Sequence, residues 1–519
     1  MTDRWGSKPI ACMGGLVLDM DSLTQGTQFP GSARILQNME PSTDSGYRRI
    51  NGVIKYDDDE VPGDTDAPIL GVKVALNGVF AARINDEGGG GEDNAIYFGS
   101  GSGWGAPLNA TARPGPVTKV RFISYNLVEP VVIACDGVNP AWKTNGTVET
   151  EINGVGAPTN PKYAKEFLGR LALSGYGTGA LLALSVPNDD EDFSGGGAIE
   201  INVGDTVKGL ALFRGELIIF CERSIKKLTG TDSTTFVIVN VTDSIGCVSG
   251  DTIQEIGGDL IYLSTDGIRS YAATERIGDV ELSLVSRSIQ PLVRGILAEG
   301  FDEDHYASCC VRKKSQYRLF PNNENLPDAD NLGVLGRLQD APTTPHGQFE
   351  WATLRGLKPY SADSEYSGNL EVAVLGHTTN GFVYLQEAGN TFDGTNIEAI
   401  YRTPDLTFDD ATIRKVFFKI DINTQTEGDI DVLVNLLLDK EQLHIIQPPS
   451  VQLMDTGSAP VYGSAVYDTD TYGAFVFPYF KRNLIGSGFF GAFRFYCNDD
   501  SSPFRIESFQ VTFSIKGRR

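Results

Sequence analysis

The sequence predicts an all-β protein: a β-propeller of six or seven blades, with an extended N-terminal segment before it and a C-terminal β-sandwich after it. Three observations support this fold class. Stretches with the 3.6-residue period of a helix are nearly absent, and 59 glycines and 25 prolines among 519 residues keep the apolar runs short. Hairpin-like units recur along the chain, and the apolar pattern changes after about residue 395. We therefore expect three parts, residues 1–60, 61–394 and 395–519.

The N-terminal part holds a specific stretch, "GSARILQNMEPSTDSGYRRINGVIKYD", from Gly31 to Asp57. Small residues lead into apolar ones, and turns are expected at Asp44-Ser45-Gly46 and at Asn51-Gly52. The stretch has no metal-ligand spacing, no phosphate-binding glycine loop and no nucleophile beside a histidine. It therefore indicates a structural segment, for which a plain exposed edge strand is the simplest alternative.

The middle part contains seven hairpin-like units. Several have an Asn-Gly or Asp-Gly pair at the turn, which is the signal of a type I′ hairpin. From the second to the sixth unit the spacing is roughly 40 to 50 residues, the period of four-stranded propeller blades. Unrelated hairpins in sandwiches, or a β-solenoid, are the alternatives. The units are Val74–Arg83, Val131–Trp142, Leu168–Leu184, Leu217–Leu228, Leu260–Tyr271, Tyr306–Phe320 and Val372–Leu385.

Two irregular segments interrupt the repeats, Asn85–Pro107 and Pro321–Gly347. Long loops inside a repeat array usually belong to a binding face or are mobile. We expect them either to form an interface between copies of the chain or to dock other partner proteins. The best helical candidate is Leu282–Leu297, which Pro291 restricts to a short helix or turn.

The C-terminal part alternates strongly or is continuously apolar, and it is rich in phenylalanine. This pattern predicts an antiparallel β-sandwich of about 120 residues. The runs that predict its strands are Thr407–Asn423, Asp429–Leu438, Ala474–Phe480, Phe489–Tyr496 and Phe504–Ile515.

No catalytic, cofactor-binding or metal-binding residue can be assigned from the sequence, and we expect no enzyme and no cofactor. The four histidines, His305, His346, His377 and His444, form no HExxH or HxH pair, and no serine lies in GxSxG. Carboxylate pairs of the kind that glycosidases use cannot be identified. The seven cysteines are scattered without a CxxC pair, and we expect small buried side chains in a reducing compartment.

Four local motifs have ordinary structural explanations. "GYGTGA", Gly175–Ala180, lacks the third glycine of a dinucleotide-binding fingerprint and lies within a β-pattern. "STDGIRSY", Ser264–Tyr271, departs from the Asp-box of sialidase propellers and is better explained as a hairpin turn. The acidic runs Asp57–Glu60 and Asp189–Asp192 are expected to be solvated loops, with calcium a weak alternative because neither has EF-hand spacing.

Charge excludes one class of partner. The formal net charge is −24 and the isoelectric point is near 4.6. A protein that reads nucleic-acid sequence needs a basic face, so specific DNA binding is not expected. There is no run of eighteen apolar residues, and the first residues lack the apolar core of a signal peptide. We therefore expect assembly in the cytoplasm of the cell that makes the protein.

Three stretches resemble one known family, the tail nozzle proteins of short-tailed bacteriophages, also called tail tubular protein B or tail stabilisation proteins. The first is the opening stretch "GSARILQNMEPSTDSGYRRINGV". The second, Val207–Val293, looks like the family's central propeller region through "LIIFCERSIKKLTG", "IGCVSGD", "YLSTDGIRSY" and "SRSIQ". The third is the C-terminal "FRIESFQVTFSIKG". Together they cover about a third of the chain, and their motifs are structural.

The resemblance implies an architectural N-terminal stretch that threads into a propeller or a neighbouring subunit. Arg48 and Arg49 would there act as ion-pair or backbone-carbonyl anchors. It also implies a homohexameric nozzle ring in the virion tail, below the tail adaptor ring and possibly next to tail fibres or tailspikes. Genomic DNA would pass through its channel at ejection without specific binding. Six copies would carry about −144 formal charges, and near the wall repulsion of phosphate would let DNA slide.

A second hypothesis is a propeller-based tail protein that binds or hydrolyses a glycan. The two hypotheses predict different particles. The conduit predicts a ring and no turnover, whereas the glycan hydrolase predicts a monomer or trimer with a carboxylate-lined pocket on the propeller axis.

Overall fold

The computed structural model describes residues 4–85, 93–108, 113–127, 129–272, 284–339, 348–442, 444–455 and 479–515. Strands make up 51% of it and helices 8%, which confirms the all-β class. Within these ranges no helix is long and apolar enough to cross a membrane.

The elements follow one another in three groups. The N-terminal group is β1 (Arg4–Ala11), α1 (Ser22–Gln28), β2 (Ile35–Gln37), β3 (Met39–Pro41), β4 (Tyr47–Arg49) and β5 (Val53–Lys55). The middle group begins with β6 (Ile69–Ala75), β7 (Gly78–Ile84), β8 (Asn94–Gly99), β9 (Arg121–Asn126), β10 (Pro130–Cys135), β11 (Trp142–Thr144), β12 (Glu149–Glu151), β13 (Tyr163–Phe167), β14 (Arg170–Tyr176), β15 (Leu181–Leu184), β16 (Ile199–Asn202), β17 (Val207–Phe213), β18 (Glu216–Cys221), β19 (Ile225–Thr229), β20 (Val237–Thr242), β21 (Gln254–Ile256), β22 (Asp259–Ser264) and β23 (Gly267–Ser270).

The middle group continues with α2 (Gln290–Ala298), β24 (Tyr306–Val311), β25 (Gln316–Pro321), β26 (Leu332–Leu338), β27 (Phe349–Arg355), β28 (Pro359–Ser367), β29 (Leu370–His377) and β30 (Val383–Gln386). The last group is β31 (Thr391–Phe392), β32 (Thr395–Arg402), β33 (Lys415–Thr426), β34 (Ile430–Leu438), β35 (Val451–Asp455), β36 (Tyr479–Asn483), β37 (Ser487–Gly488), β38 (Gly491–Asp499) and β39 (Phe504–Ile515).

Five separate antiparallel sheets form a propeller-like arrangement. They are β6–β8, β9–β12, β13–β16, β17–β20 and β21–β23, and in each the strands pair in chain order. The predicted count of six or seven blades is therefore wrong. The last two predicted units, Tyr306–Phe320 and Val372–Leu385, belong to one large sheet because β27 and β30 pair onward with the short strands β2 and β5.

That large sheet has fourteen strands, with the main order β24-β25-β26-β27-β2-β32-β31-β5-β30-β29-β28. Its end strands β24 and β28 lie against each other, so that it is nearly closed like a barrel. The first strands of four blades, β6, β9, β13 and β17, lie side by side, and β28 contacts β6. The strands β24 and β28 thereby complete the circle around the propeller axis.

Two predicted hairpin turns, Asn77-Gly78 and Asp266-Gly267, lie one residue earlier than the sequence suggested, because each glycine already pairs in the second strand. In the β6–β7 hairpin, Leu76 and Asn77 have φ of 52° and 61°, and Gly78 already pairs with Ala75. Two successive positive φ values are the geometry of a type I′ turn. The predicted turn pair Asn77-Gly78 is thus displaced because Gly78 is the first strand residue.

The segments predicted to be irregular contain regular strands. The strand β8 lies within Asn85–Pro107, and β26 lies within Pro321–Gly347, so both predictions were too broad. Residues 86–92 and 340–347 lie outside the described residues. The predicted short helix is confirmed as α2, which begins with Pro291 in its first turn, where the missing N–H group is not needed.

The N-terminal segment runs through both of the largest sheets. β1 pairs along its whole length with β39, and β4 pairs with the start of the same strand. β2 lies between β27 and β32, and β5 between β30 and β31. The stretch from β2 to β5, to which the sequence prediction refers, is therefore part of the core of its own chain and not a plain exposed edge strand.

The C-terminal strands form two layers. One is the seven-stranded sheet built on β33 and β39, and the other is the β32-β38-β34-β35 part of the large sheet. Phenylalanines fill the space between them: the ring of Phe509 lies 5.3 Å from that of Phe493 and 5.6 Å from that of Phe495. Alternating apolar residues thus face inward, as period-two strands require.

Candidate functional site

A polar cavity of about 180 Å³ lies on the propeller axis. Its wall comes from the first strands of the blades, from the turn at Gly250–Thr252, and from β21, β24 and β28. Glycines at the wall let these strands approach: a Cβ on Gly71 would come within 2.1 Å of the carbonyl oxygen of Val120. The polar residues that line the cavity are Lys119, Arg121, Asp251, Gln254, Ser308, Ser361 and Asp363.

Arg121 at the start of β9 joins two carboxylates across the axis. Its Nη2 atom donates to Asp251 at 2.7 Å and to Asp304 at 2.6 Å, while its Nε atom donates to Asp251 at 3.1 Å. The hydroxyl of Thr118 donates to the second oxygen of Asp304 at 2.6 Å. One guanidinium group therefore ties the second blade to the turns that precede β21 and β24.

Lys119 is almost fully buried, and its ammonium group donates to the main chain. The acceptors are the carbonyl oxygens of Asp304 at 3.0 Å, Tyr306 at 3.2 Å, and Tyr360. Burial lowers the pKa of Lys119 to about 8, although nearby carboxylates such as Asp251 oppose the shift. The residue thus holds β9 against β24 and β28.

Glu303 makes the corresponding connection to the next two blades. Its carboxylate accepts from Lys208 at 2.6 Å and also from Lys162. The main chain is fixed as well, because the hydroxyl of Ser249 donates to the carbonyl oxygen of Glu303 at 2.7 Å. Residues from four of the blades, Arg121, Lys162, Lys208 and Ser249, therefore donate hydrogen bonds to the short 3₁₀ turn Glu303–His305.

The electrostatics keep these acids ionised. Burial alone would raise the pKa of Asp304, but the charges of Arg121 and Lys162 outweigh it and hold the pKa well below its usual range. The pKa of Glu303 is lowered in the same way by Lys162 and Lys208 against the effect of burial. A general acid at neutral pH needs the opposite shift. The axial arrangement can therefore clamp blades together, and neither Glu303 nor Asp304 is poised to donate a proton.

Arg48 and Arg49 are anchors, as the resemblance implied. Arg48 donates to Glu427 at 2.6 Å and to Glu40 at 3.2 Å. Arg49 is completely buried and donates to the carbonyl oxygens of Asp499 at 2.5 Å, Asn390 at 3.2 Å, and Ser501. Both arginines thereby fix the N-terminal segment to the C-terminal strands.

Of the four histidines, two have defined partners. The ring of His305 stacks on Phe301, with centroids 5.8 Å apart. His377 is buried, and its Nδ1 atom accepts from two backbone N–H groups at 3.1 and 3.2 Å. Nε2 is therefore the protonated nitrogen in the neutral ring and donates to Asp328 at 3.2 Å. His444 lies in a turn, and His346 lies outside the described residues.

The other motifs have structural roles. Gly175–Ala180 forms the turn between β14 and β15, and Ser264–Tyr271 forms the β22–β23 hairpin, in which Arg269 donates to Asp266 at 2.9 Å. All seven cysteines are buried and free, and burial raises the pKa of the Cys309 thiol to about 11. Within the described ranges, no three His, Cys, Asp or Glu side chains are grouped as metal ligands.

The axial residues could not be found from the sequence. Arg121 is 130 residues from Asp251 and 183 residues from Asp304, and each is a single charge beside a strand. No local spacing links them. Their only common signal is position, because each lies at or just before the first strand of a repeat.

Comparison with known proteins gives no family: no family model matches the chain, and no curated protein matches it. Among solved structures, the computationally designed Ika8 protein has 11% identity and a TM-score of 0.34, covering 64% of this chain and 99% of its own. The AfRom2 CNH domain has 7% identity and a TM-score of 0.35, with coverage of 64% and 99%. An exo-β-1,3-galactanase from Phanerochaete chrysosporium has 10% identity and a TM-score of 0.27, with coverage of 89% and 100%. At these scores the likenesses assign neither a family nor an activity.

Proposed function

We propose that this chain is a structural component of the tail of a short-tailed bacteriophage. In this proposal, copies of the chain form the nozzle ring below the tail adaptor, and the genome leaves the virion through the ring. The resemblance of Val207–Val293 and of the N-terminal stretch to tail nozzle proteins supports it. The N-terminal stretch also has a structural role here, because it is built into both large sheets.

The observation that carries the proposal is the pairing of the axial carboxylates. A propeller enzyme that hydrolyses glycans would need a carboxyl group with a raised pKa at such a site. Here Asp304 and Glu303 face cations from three blades, and both pKa values are lowered. This arrangement supports a rigid scaffold over the glycan hydrolase.

The channel of the proposed assembly lies between copies, because the axis of the single propeller is crossed by ion pairs. A ring closes when a head-to-tail contact is repeated by rotation. With a net charge of −24 per copy, the ring would present like charge to the phosphates of DNA. The partners are thus further copies, the adaptor ring and passing DNA, and the location is the virion tail.

Negative-stain imaging of the purified protein, alone and mixed with its adaptor, tests the proposal. We expect rings with a central channel, at least in the presence of the adaptor. A particle that stays monomeric in both samples would overturn the proposal. Release of reducing sugar from a bacterial surface polysaccharide by the wild type, abolished in Glu303→Gln, would favour the hydrolase.

A further inference from the structure

A second cavity lies away from the propeller axis. It has a volume of about 330 Å³ and opens where the N-terminal segment, the β27–β28 turn and the β31–β32 hairpin meet. Volumes of this size hold small molecules in other proteins. Because three separate parts of the chain build it, the cavity exists only in the assembled fold.

The floor of the cavity is apolar and buried. Val53 and Leu375 are 4% and 2% exposed, and the rings of Tyr384 and Phe392 are each 8% exposed. The hydroxyl of Tyr384 accepts from the side-chain amide of Asn380 at 2.7 Å, which fixes the ring. A ligand that reaches this floor therefore needs an apolar face.

One cation at the wall, Arg355, is held in place through its main chain. The main chain of Arg355 is bonded in both directions by the side chain of Asn38, at 2.9 and 3.0 Å. Among the described residues, the guanidinium group of Arg355 has no hydrogen-bond or ion-pair partner. Its five N–H groups are thus available to a ligand.

Three carboxylates stand around the same opening, and neighbours orient each of them. His377 donates to Asp328 at 3.2 Å, Gln37 donates to Glu398 at 2.9 Å, and the hydroxyl of Tyr384 lies 3.5 Å from Asp393. Each carboxylate keeps free acceptor sites, since an ionised carboxylate has about four. The wall therefore offers acceptors as well as the donors of Arg355.

We propose that this cavity binds a neutral saccharide. A sugar ring has C–H groups on its faces and hydroxyl groups around its edge, which matches an apolar floor inside a rim of donors and acceptors. The ionised groups at the wall are three carboxylates and two cations, Arg355 and Lys358, so that neither a strongly acidic nor a strongly basic ligand is favoured. Hydroxyl groups can accept from the arginine and donate to the carboxylates at once. The inference does not depend on ring formation.

A binding experiment on the full chain tests it. The probes are maltose, cellobiose and lactose in saturation-transfer NMR, and a printed array of neutral oligosaccharides from bacterial surfaces. We expect at least one neutral probe to bind, and Arg355→Ala to weaken that binding by ~10-fold or more, because a charged donor is lost. Asp393→Asn should also weaken it, since one acceptor becomes a donor.

The matched control is Arg223→Ala, which removes a guanidinium group that is 83% exposed in its side chain. It should bind the same probe with unchanged affinity. The inference is overturned if the wild type binds none of the neutral probes, or if Arg355→Ala binds as tightly as the wild type. Binding of oligolysine or of a sialylated sugar in preference to every neutral probe also overturns it, in favour of a charged ligand. Rings that form without saccharide binding would leave the proposed function intact.

Discussion

The propeller axis and the interior of the C-terminal sheets hold their strands together by different means. At the axis, Arg121, Lys162 and Lys208 cross-link blades through buried or half-buried carboxylates. Between the C-terminal sheets, phenylalanines such as Phe493 and Phe509 pack without polar partners. The stability of the first region depends on charge and therefore on pH. The stability of the second depends on how completely the aromatic side chains fill the interior.

This difference follows from the geometry of the two regions. First strands of blades converge on an axis, and their glycines bring main chains too close for large apolar side chains. Two sheets that pack face to face are about 10 Å apart, which is the space that aromatic rings fill. An ion pair at the axis must offset the cost of desolvating both charges, so removing one partner costs more than the pair contributes.

Matched substitutions in the two regions should have the largest effects. Arg121→Ala leaves Asp251 and Asp304 without their main cation and should lower the free energy of unfolding by about 3–5 kcal/mol. Phe493→Ala should lower it by about 3–5 kcal/mol because a cavity replaces a buried ring. Urea unfolding at pH 7 measures both.

The pH dependence separates these two variants. The lowered pKa of Asp304 contributes stability that is present above its unfolded value of 3.8 and is lost as the pH falls below it. The cost of Arg121→Ala should therefore shrink between pH 7 and about pH 3, while the cost of Phe493→Ala stays constant. Equal pH profiles would show that the axis is not held by charge.

Substitution of the two N-terminal anchors, Arg48 and Arg49, should lower the free energy of unfolding by different and smaller amounts. Arg49→Ala leaves three half-buried carbonyl groups without their fully buried donor and should cost about 3 kcal/mol. Arg48→Ala should cost about 1 kcal/mol, because Glu427 is half exposed and Lys314 still pairs with Glu40 at 2.6 Å. Thermal and urea unfolding of both variants would show it, and equal losses would contradict the anchoring role of the buried arginine.

Lys119→Met should have the smallest effect at neutral pH, about 1 kcal/mol, because lost hydrogen bonds oppose relieved desolvation. The pKa of Lys119 is lowered to about 8 from 10.5, so the unfolded chain binds the proton more tightly. The stability of the wild type relative to Lys119→Met should therefore rise between pH 8 and 10.5. A flat difference across this window would indicate that Lys119 is not buried as described.

Sequence patterns predicted individual strands but not how these strands are arranged into sheets and blades. The hairpin units and the phenylalanine-rich runs predicted the central hairpins of the blades and several C-terminal strands, such as β33, β34, β38 and β39, since period-two alternation and turn residues are local signals. The number of blades was wrong because it depends on β2 and β5, strands of three residues each that join distant parts of the chain. Such short strands have too few positions to show a period.

The residues of the candidate site were even harder to predict from the sequence. Lys119 and Arg121 are ordinary charges in the sequence, and their roles depend on partners more than a hundred residues away. The same holds for Arg355, whose proposed role depends on a cavity built by separate parts of the chain. By contrast, the Arg48-Arg49 pair between two turns is a local feature of the sequence, and the resemblance to tail nozzle proteins implied its anchoring role.

The titration of Asp304 tests the central claim, that the axial carboxylates are permanent structural ions. The carboxyl signal can be followed by carbon-13 NMR of aspartate-labelled protein and assigned with Asp304→Asn. We predict that the signal stays that of a carboxylate down to about pH 3, below the usual range for aspartate. Protonation near or above pH 6 would contradict the account, since it would show a carboxyl group poised as a general acid on the propeller axis.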